Sequence, residues 1–263
     1  MSRYEQVITR PPSRTFANGL THGLLGKPDV DLAIRQHEGY IEALRSCGVK
    51  VINLQADDRF PDSCFTEDEA IVTDRFAVLT KFREPGRQGE DELIRPDLEE
   101  IYGSHIERIT RGTLEGGDII RDEDHFFIGL SRRTNEEGAQ ELAEIVSRYG
   151  FSSTIVDIRP YKSILHLTTA MSCIGDHTLV TRPELGICAA FDGYRRIITT
   201  PEESYAGNTV RMNEFVLVPA GFDDTITKIE DAGYKVIPVP VSEIEKMDGG
   251  LSCLSLRLPK LNF

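Results

Sequence analysis

Residues 118–130 read Asp118-Ile-Ile-Arg-Asp-Glu-Asp-His-Phe-Phe-Ile-Gly-Leu130. Two runs of β-branched and aromatic residues flank a short polar turn, Asp122-Glu-Asp124, which is a β-hairpin signal. The same arrangement appears upstream as Ala70-Ile-Val-Thr, Asp74-Arg75 and Phe76-Ala-Val-Leu-Thr80. Downstream it recurs as Met171-Ser-Cys-Ile, Gly175-Asp176 and His177-Thr-Leu-Val-Thr181. A further copy is Asn208-Thr-Val-Arg-Met, Asn213-Glu214 and Phe215-Val-Leu-Val-Pro219.

Amphipathic stretches lie between several of these copies. Residues 30–47 carry Leu32, Ile34, Ile41 and Leu44; residues 135–149 carry Ala139, Leu142, Ile145 and Val146; residues 223–232 carry Ile226 and Ile229. Apolar residues at these spacings predict helices. Each is followed by a strand-like run, at 49–54, 153–158 and 235–241. Residues 90–102 start as a helix that Pro96 is expected to kink or break. The unit is therefore ββαβ, repeated about every 40–50 residues, and one such unit cannot bury its own apolar face. Blades around an axis satisfy that need, and a mixed α/β sheet with hairpins is the alternative. No Pro/Ser linker or low-complexity segment divides the chain, and the only conspicuous polar loop falls near 81–92. The expectation is one α/β domain over 1–263.

The chain has 263 residues, 30 basic and 43 acidic side chains and a formal charge of −13. That balance, with no basic aromatic-rich stripe, argues against a nucleic-acid backbone binder. No apolar run approaches the roughly 20 residues that span a bilayer, and the start of the chain has no stretch of signal-peptide type. Cys47, Cys64, Cys173, Cys188 and Cys253 are too scattered for a metal knuckle, so free thiols in a reducing cytoplasm are expected. HxH, HExxH and EF-hand patterns are missing from the sequence, and no metal or organic cofactor is expected.

Residues able to do chemistry cluster just before the hairpins: Asp62, Cys64, Glu67 and Asp68 before the first, Glu115 and Asp118 before the second, His166 before the third. Asp248-Gly-Gly-Leu-Ser precedes Cys253 and a last strand. In a closed radial array these loops meet at one end of the axis. Alternation in Cys253-Leu-Ser-Leu-Arg-Leu258 places Cys253, Ser255 and Arg257 on the more polar face of that strand. A buried small hydrophobe is the ordinary role of such a cysteine, and a hydrogen-bonded core histidine that of His166. Together a thiol and an imidazole permit nucleophilic catalysis. Glu67, Asp68 and Glu115 could cage a planar cation, since carboxylates accept paired N–H bonds, or they could simply be solvated turn acids. Cys47, Cys64, Cys173 and Cys188 read as packing residues.

Six blocks, in order, give these residues a context. They are Phe60-Pro-Asp-Ser-Cys-Phe-Thr-Glu-Asp68, Thr113-Leu-Glu-Gly-Gly-Asp118, Ser131-Arg-Arg-Thr-Asn135, Leu165-His-Leu167, Pro201-Glu-Glu-Ser-Tyr-Ala206 and Asp248-Gly-Gly-Leu-Ser-Cys253. Across nearly the whole chain this resembles the dimethylarginine dimethylaminohydrolase family of guanidino-group-modifying enzymes. The resemblance implies a five-bladed, pseudo-symmetric α/β propeller with its site on the axis. It implies Cys253 as nucleophile, His166 as acid and base, and Glu115 as support for the guanidinium and the histidine. Asp68 with Glu67 would face the guanidino nitrogens. Leu20, Asp62, Arg87, Arg133, Met247 and Asp248 would hold the amino-acid end and stem, with Arg87 and Arg133 as α-carboxylate partners. The implied reaction hydrolyses N-ω-methylated arginine to citrulline and a methylamine through a cysteine thiouronium. A homodimer is compatible with it. An arginine deiminase or an amidinotransferase shares the nucleophile. A non-catalytic propeller serving as an assembly factor would have no use for Cys253, His166 and Glu115 together.

Overall fold

The quoted hairpin forms with Ile119–Asp122 antiparallel to His125–Leu130, Ile119 opposite Ile128 and Asp122 opposite His125. The computed structural model describes residues 3–262, and within them each hairpin gains a third strand parallel to its second. The first blade is Ala70–Val72, Ala77–Leu79 and Ile106–Arg108. The second adds Ser152–Asp157 to the quoted hairpin. The third is Met171–Gly175, Thr178–Thr181 and Arg195–Ile198. The fourth is Val210–Met212, Phe215–Pro219 and Lys235–Val239. The fifth joins distant segments: Leu256–Pro259 runs antiparallel to Tyr4–Thr9, which runs parallel to Lys50–Asn53. Five three-stranded sheets thus make the five-bladed α/β propeller.

Four crossovers are helical: α1 (Val30–Ser46), α2 (Asp91–Tyr102), α3 (Glu136–Arg148) and α4 (Asp223–Asp231). In the third blade two short 3₁₀ turns, Pro183–Leu185 and Ala189–Phe191, replace the helix. Pro96 lies inside α2 without ending it, so the expected break does not occur. Both Pro96 and Glu92, whose carbonyl loses its helical partner, are solvent-exposed, while Ile94, Leu98 and Tyr102 are buried on the opposite face. Packing of that opposite face holds the helix together across the proline.

The apolar interior is divided into five clusters, one at each blade boundary. Phe76 and Val78 of the first blade pack with Phe126, Ile128 and Leu142 of the second. Leu256 and Leu258 of the fifth pack with Leu79, Ile94 and Leu98 of the first. This division is the physical reason that the repeat had to close: each cluster joins residues of two neighbouring blades. Around the axis Met171–Gly175 contacts both Ile119–Asp122 and Val210–Met212, Leu256–Pro259 contacts Ala70–Val72, and the 3₁₀ turns Thr66–Glu69, Gly116–Asp118 and Ser252–Leu254 meet at one end.

Local caps fix the turns. Asn135 Oδ1 accepts the Gly138 N–H at the start of α3 (2.9 Å) and also the Thr113 N–H (3.0 Å). Asn135→Ala should cost about 1 kcal/mol and lower the calorimetric midpoint by about 2–4 °C; an unchanged midpoint would show that the cap is dispensable.

Candidate active site

A narrow cavity at the axial end is lined by Leu20, Asp62, Asp68, Arg87, Arg133, His166, Met247, Asp248 and Cys253, with Phe65, Leu165 and Gly249. Nine residues singled out from the sequence therefore meet, although they span positions 20 to 253. Glu115 sits behind the histidine, its Oε2 3.0 Å from His166 Nε2.

Cys253 lies in the 3₁₀ turn Ser252–Leu254, and the strand starts only at Leu256. The expected strand placement of the thiol is thereby corrected: the chain must bend to bring sulfur to the axis before it can pair with Tyr4–Thr9. Cys253 is buried, and its sulfur accepts the Gly250 N–H at 3.4 Å. Burial pushes the thiol well above its ordinary pKa, and Glu67 and Asp68 push it further, against the Gly250 N–H and the Ser252 hydroxyl. A neutral thiol is the resting form. At pH 7, iodoacetamide should modify Cys253 at least about tenfold more slowly than free cysteine, measured on its tryptic peptide; an equal rate would mean a resting thiolate.

His166 shows the opposite balance. Burial disfavours its charge, but Asp68, Asp118 and Glu115 together raise its pKa to about 9. It is an imidazolium at neutral pH. The stability this gives is fully present below the unfolded value of about 6.5 and is lost as pH rises through about 9. Glu115 and Asp68 are held below the ordinary carboxylate range: burial opposes their charge, but His166 and Arg87 outweigh it. Asp68 Oδ1 accepts the Gly117 N–H at 2.9 Å. A Cβ at Gly117 would lie 2.8 Å from both Asp68 Oδ1 and His166 Nδ1, so only glycine lets these groups converge.

The consecutive acids point in different directions. A 3₁₀ turn advances about 120° per residue. Asp68 faces the cavity, Glu69 pairs with the buried Arg10, and Glu67 turns behind Cys253. Glu67 Oε1 accepts from Arg257 (2.7 Å), and its Oε2 accepts from the Ser252 hydroxyl (2.7 Å). The structure thus does not bring Glu67 to the cavity; it borders a second cavity along the axis, lined in part by Arg121, Met171, Arg211 and Arg257.

The residues expected at the amino-acid end are all present but differently engaged. The Arg87 guanidinium donates to Asp68 Oδ2 (2.7 Å) and twice to Glu90 Oε2 (2.9 and 2.7 Å), and packs 4.5 Å from the Phe82 ring centroid. Most of its donors are therefore spent on protein carboxylates. Arg133 is looser, 3.5 Å from Glu115 and 3.8 Å from Glu84. Asp62 accepts the Leu20 N–H, and Asp248 accepts the His22 N–H, so these acids anchor the 20–22 loop over the cavity.

Asp68, Glu115 and His166 offer ligand atoms within 4.8 Å of one another, a spacing that could also hold a cation. Those atoms already bond to one another, to Arg87 or to Gly117. Asp118, placed before the second hairpin by the sequence, was given no role in the site there. It is buried, accepts from the Ser131 hydroxyl and the Leu167 N–H, and thereby fixes the histidine loop; burial raises its pKa to about 6. Its signal was its place at the end of Glu115-Gly-Gly-Asp118.

A family model described as N,N dimethylarginine dimethylhydrolase, eukaryotic, matches residues 26–257. The N(G),N(G)-dimethylarginine dimethylaminohydrolase of Pseudomonas aeruginosa is 41% identical over 97% of this chain and 99% of its own. A structure of that Pseudomonas enzyme, as a cysteine-to-serine mutant complexed with citrulline, superposes with a TM-score of 0.94 over 97% of this chain and 99% of that one, at 41% identity. Equally similar, with the same TM-score, coverage and identity, is a dimethylarginine dimethylaminohydrolase histidine-to-glycine variant in an adduct with S-methyl-L-thiocitrulline.

Proposed function

The chain belongs to the dimethylarginine dimethylaminohydrolase family, and from that premise we propose that it hydrolyses N-ω-methylated arginines to citrulline and a methylamine. The observation that carries the reading is one cavity holding a thiol, an imidazolium and a carboxylate, Cys253, His166 and Asp68, with Glu115 bonded to the imidazole at 3.0 Å.

The chemistry follows from charge. Asp68 binds the substrate guanidinium, and the cation, now beside Cys253, lowers the pKa of a thiol that burial had raised. The thiol releases its proton to solvent as the cation docks, and the thiolate attacks the central guanidino carbon. His166, protonated at rest, gives its proton to the dimethylamino nitrogen; the carbon–nitrogen bond breaks and a thiouronium remains on Cys253. The neutral imidazole then takes a proton from water, whose oxygen attacks the same carbon. The carbon–sulfur bond breaks, the proton of the newly added hydroxyl passes to the departing sulfur, citrulline leaves, and Cys253 is again a thiol and His166 again protonated. Glu115 keeps the imidazole oriented and favours its cationic form. Arg133, the less committed guanidinium, takes the α-carboxylate, with Arg87 setting the position of Asp68. Leu20 and Met247 pack the substrate stem, while Asp62 and Asp248 hold the loop that covers it. Every residue named lies in one chain, and a homodimer is compatible with the reading. It also fits a reducing compartment such as the cytoplasm, since all five cysteines are free thiols; among the described residues no helix is long and apolar enough to cross a membrane.

The test offers the purified protein dimethylarginine, monomethylarginine and arginine separately and quantifies citrulline and amine. Methylated substrates should lead in kcat/KM. Citrulline and ammonia from arginine alone would transfer the assignment to a deiminase.

A further inference from the structure

Asn208 lies outside the cavity, at the entry to the fourth blade, and is buried at 1% exposure. Its carboxamide is wholly spent on two other loops. Nδ2 donates to the Thr168 carbonyl (2.8 Å) and to the Ser252 hydroxyl (2.9 Å), and Oδ1 accepts the Ser252 N–H (2.9 Å). Thr168 is two residues beyond His166, and Ser252 directly precedes Cys253. The ring closes through Glu67, whose Oε2 accepts from the hydroxyls of both Ser252 and Thr168.

We propose that Asn208 is a positioning residue for the nucleophile, fixing the Ser252–Cys253 turn against the histidine loop. The inference rests on the hydrolase reading. The turn is one 3₁₀ turn of three residues without a side-chain N-cap, and such turns have poor internal hydrogen-bond geometry; Glu67 holds the Ser252 hydroxyl and Arg257 its carbonyl (2.9 Å), while Asn208 holds its N–H. Gly250, whose N–H meets the sulfur, also packs on this carboxamide; a Cβ there would lie 2.5 Å from Asn208 Cγ. One side chain therefore sets both the turn that carries the thiol and the donor that faces it. Because Nδ2 already donates to Ser252 Oγ, the hydroxyl proton is directed to Glu67, whose charge Arg257 meets from the other side.

The isosteric variants separate positioning from space-filling. Asn208→Leu keeps a similar branched shape but strands the Ser252 N–H and the Thr168 carbonyl, while the Ser252 hydroxyl keeps Glu67. A misplacement of about 1 Å costs on the order of 10²-fold, so kcat should fall about 100-fold while KM moves less than about threefold, Asp68 and Arg133 being untouched. Asn208→Asp keeps the acceptor for the Ser252 N–H and adds an anion near the sulfur. Its kcat should fall only about tenfold at pH 7, and the acidic limb of its rate profile and of Cys253 alkylation should both move to higher pH. Full kcat in Asn208→Leu, or equal losses in both variants with unshifted pH profiles, would overturn the proposal. If the leucine variant does not fold, the aspartate pH profile decides alone. Failure of the wild type to turn over dimethylarginine would instead count against the parent reading, since the alkylation arm needs no substrate.

Discussion

Cys253→Ser should reduce citrulline formation from dimethylarginine by at least about 10⁴-fold, to the background of the assay, the scale seen when a covalent nucleophile is removed. The geometry explains why oxygen cannot substitute for sulfur. The thiol is neutral at rest, and attack depends on the substrate cation lowering its pKa. A serine hydroxyl starts many units further from ionisation, and His166, which holds its proton up to about pH 9, is in the wrong state to act as its base. Binding should survive, because Asp68, Arg133 and His166 remain in place; calorimetric titration should give a dissociation constant for dimethylarginine within a few-fold of the wild-type KM. Undiminished turnover would remove Cys253 from the mechanism.

His166→Ala should separate the two half-reactions. With dimethylarginine, neither expulsion of the amine nor activation of water has its proton carrier, and kcat should drop by about 10²–10⁴-fold. A substrate whose leaving group needs no proton, such as S-methyl-L-thiocitrulline, should still react with Cys253. The expected result is one equivalent of methanethiol per chain, then a halt, with a stable mass increase on the Cys253 peptide. Continuous turnover of that substrate by the variant would place the hydrolytic base elsewhere.

Much of this arrangement was legible because hairpins with alternating apolar residues leave a strong local signal. The missing helix of the third blade was not: 183–191 folds into two 3₁₀ turns whose residues carry no clear period. Pro96 does not end its helix because it sits on the exposed face, while Ile94, Leu98 and Tyr102 pack the opposite one. The number of blades came from family resemblance, since the fifth is assembled from residues 4–9, 50–53 and 256–259 and no hairpin repeat marks it. Alternation was extended three residues too far at Cys253, where a turn mimicked the start of a strand. The adjacent acids Glu67 and Asp68 could not be told apart by spacing. Only the 3₁₀ geometry, with its rotation of about a third of a turn per residue, sends one to the cavity and its neighbour to Arg257.

The fifth sheet couples two events in time. Its pairing of Ile8 with Leu256 joins segments almost the whole sequence apart, a contact of high loop-closure cost that is expected late in folding. Cys253 adjoins that seam. During refolding, four sheets can mature while the thiol remains solvated and ordinarily acidic; enzymatic competence should then appear in a single slow phase, together with loss of the thiol's reactivity toward alkylating reagents, after most secondary structure has already returned.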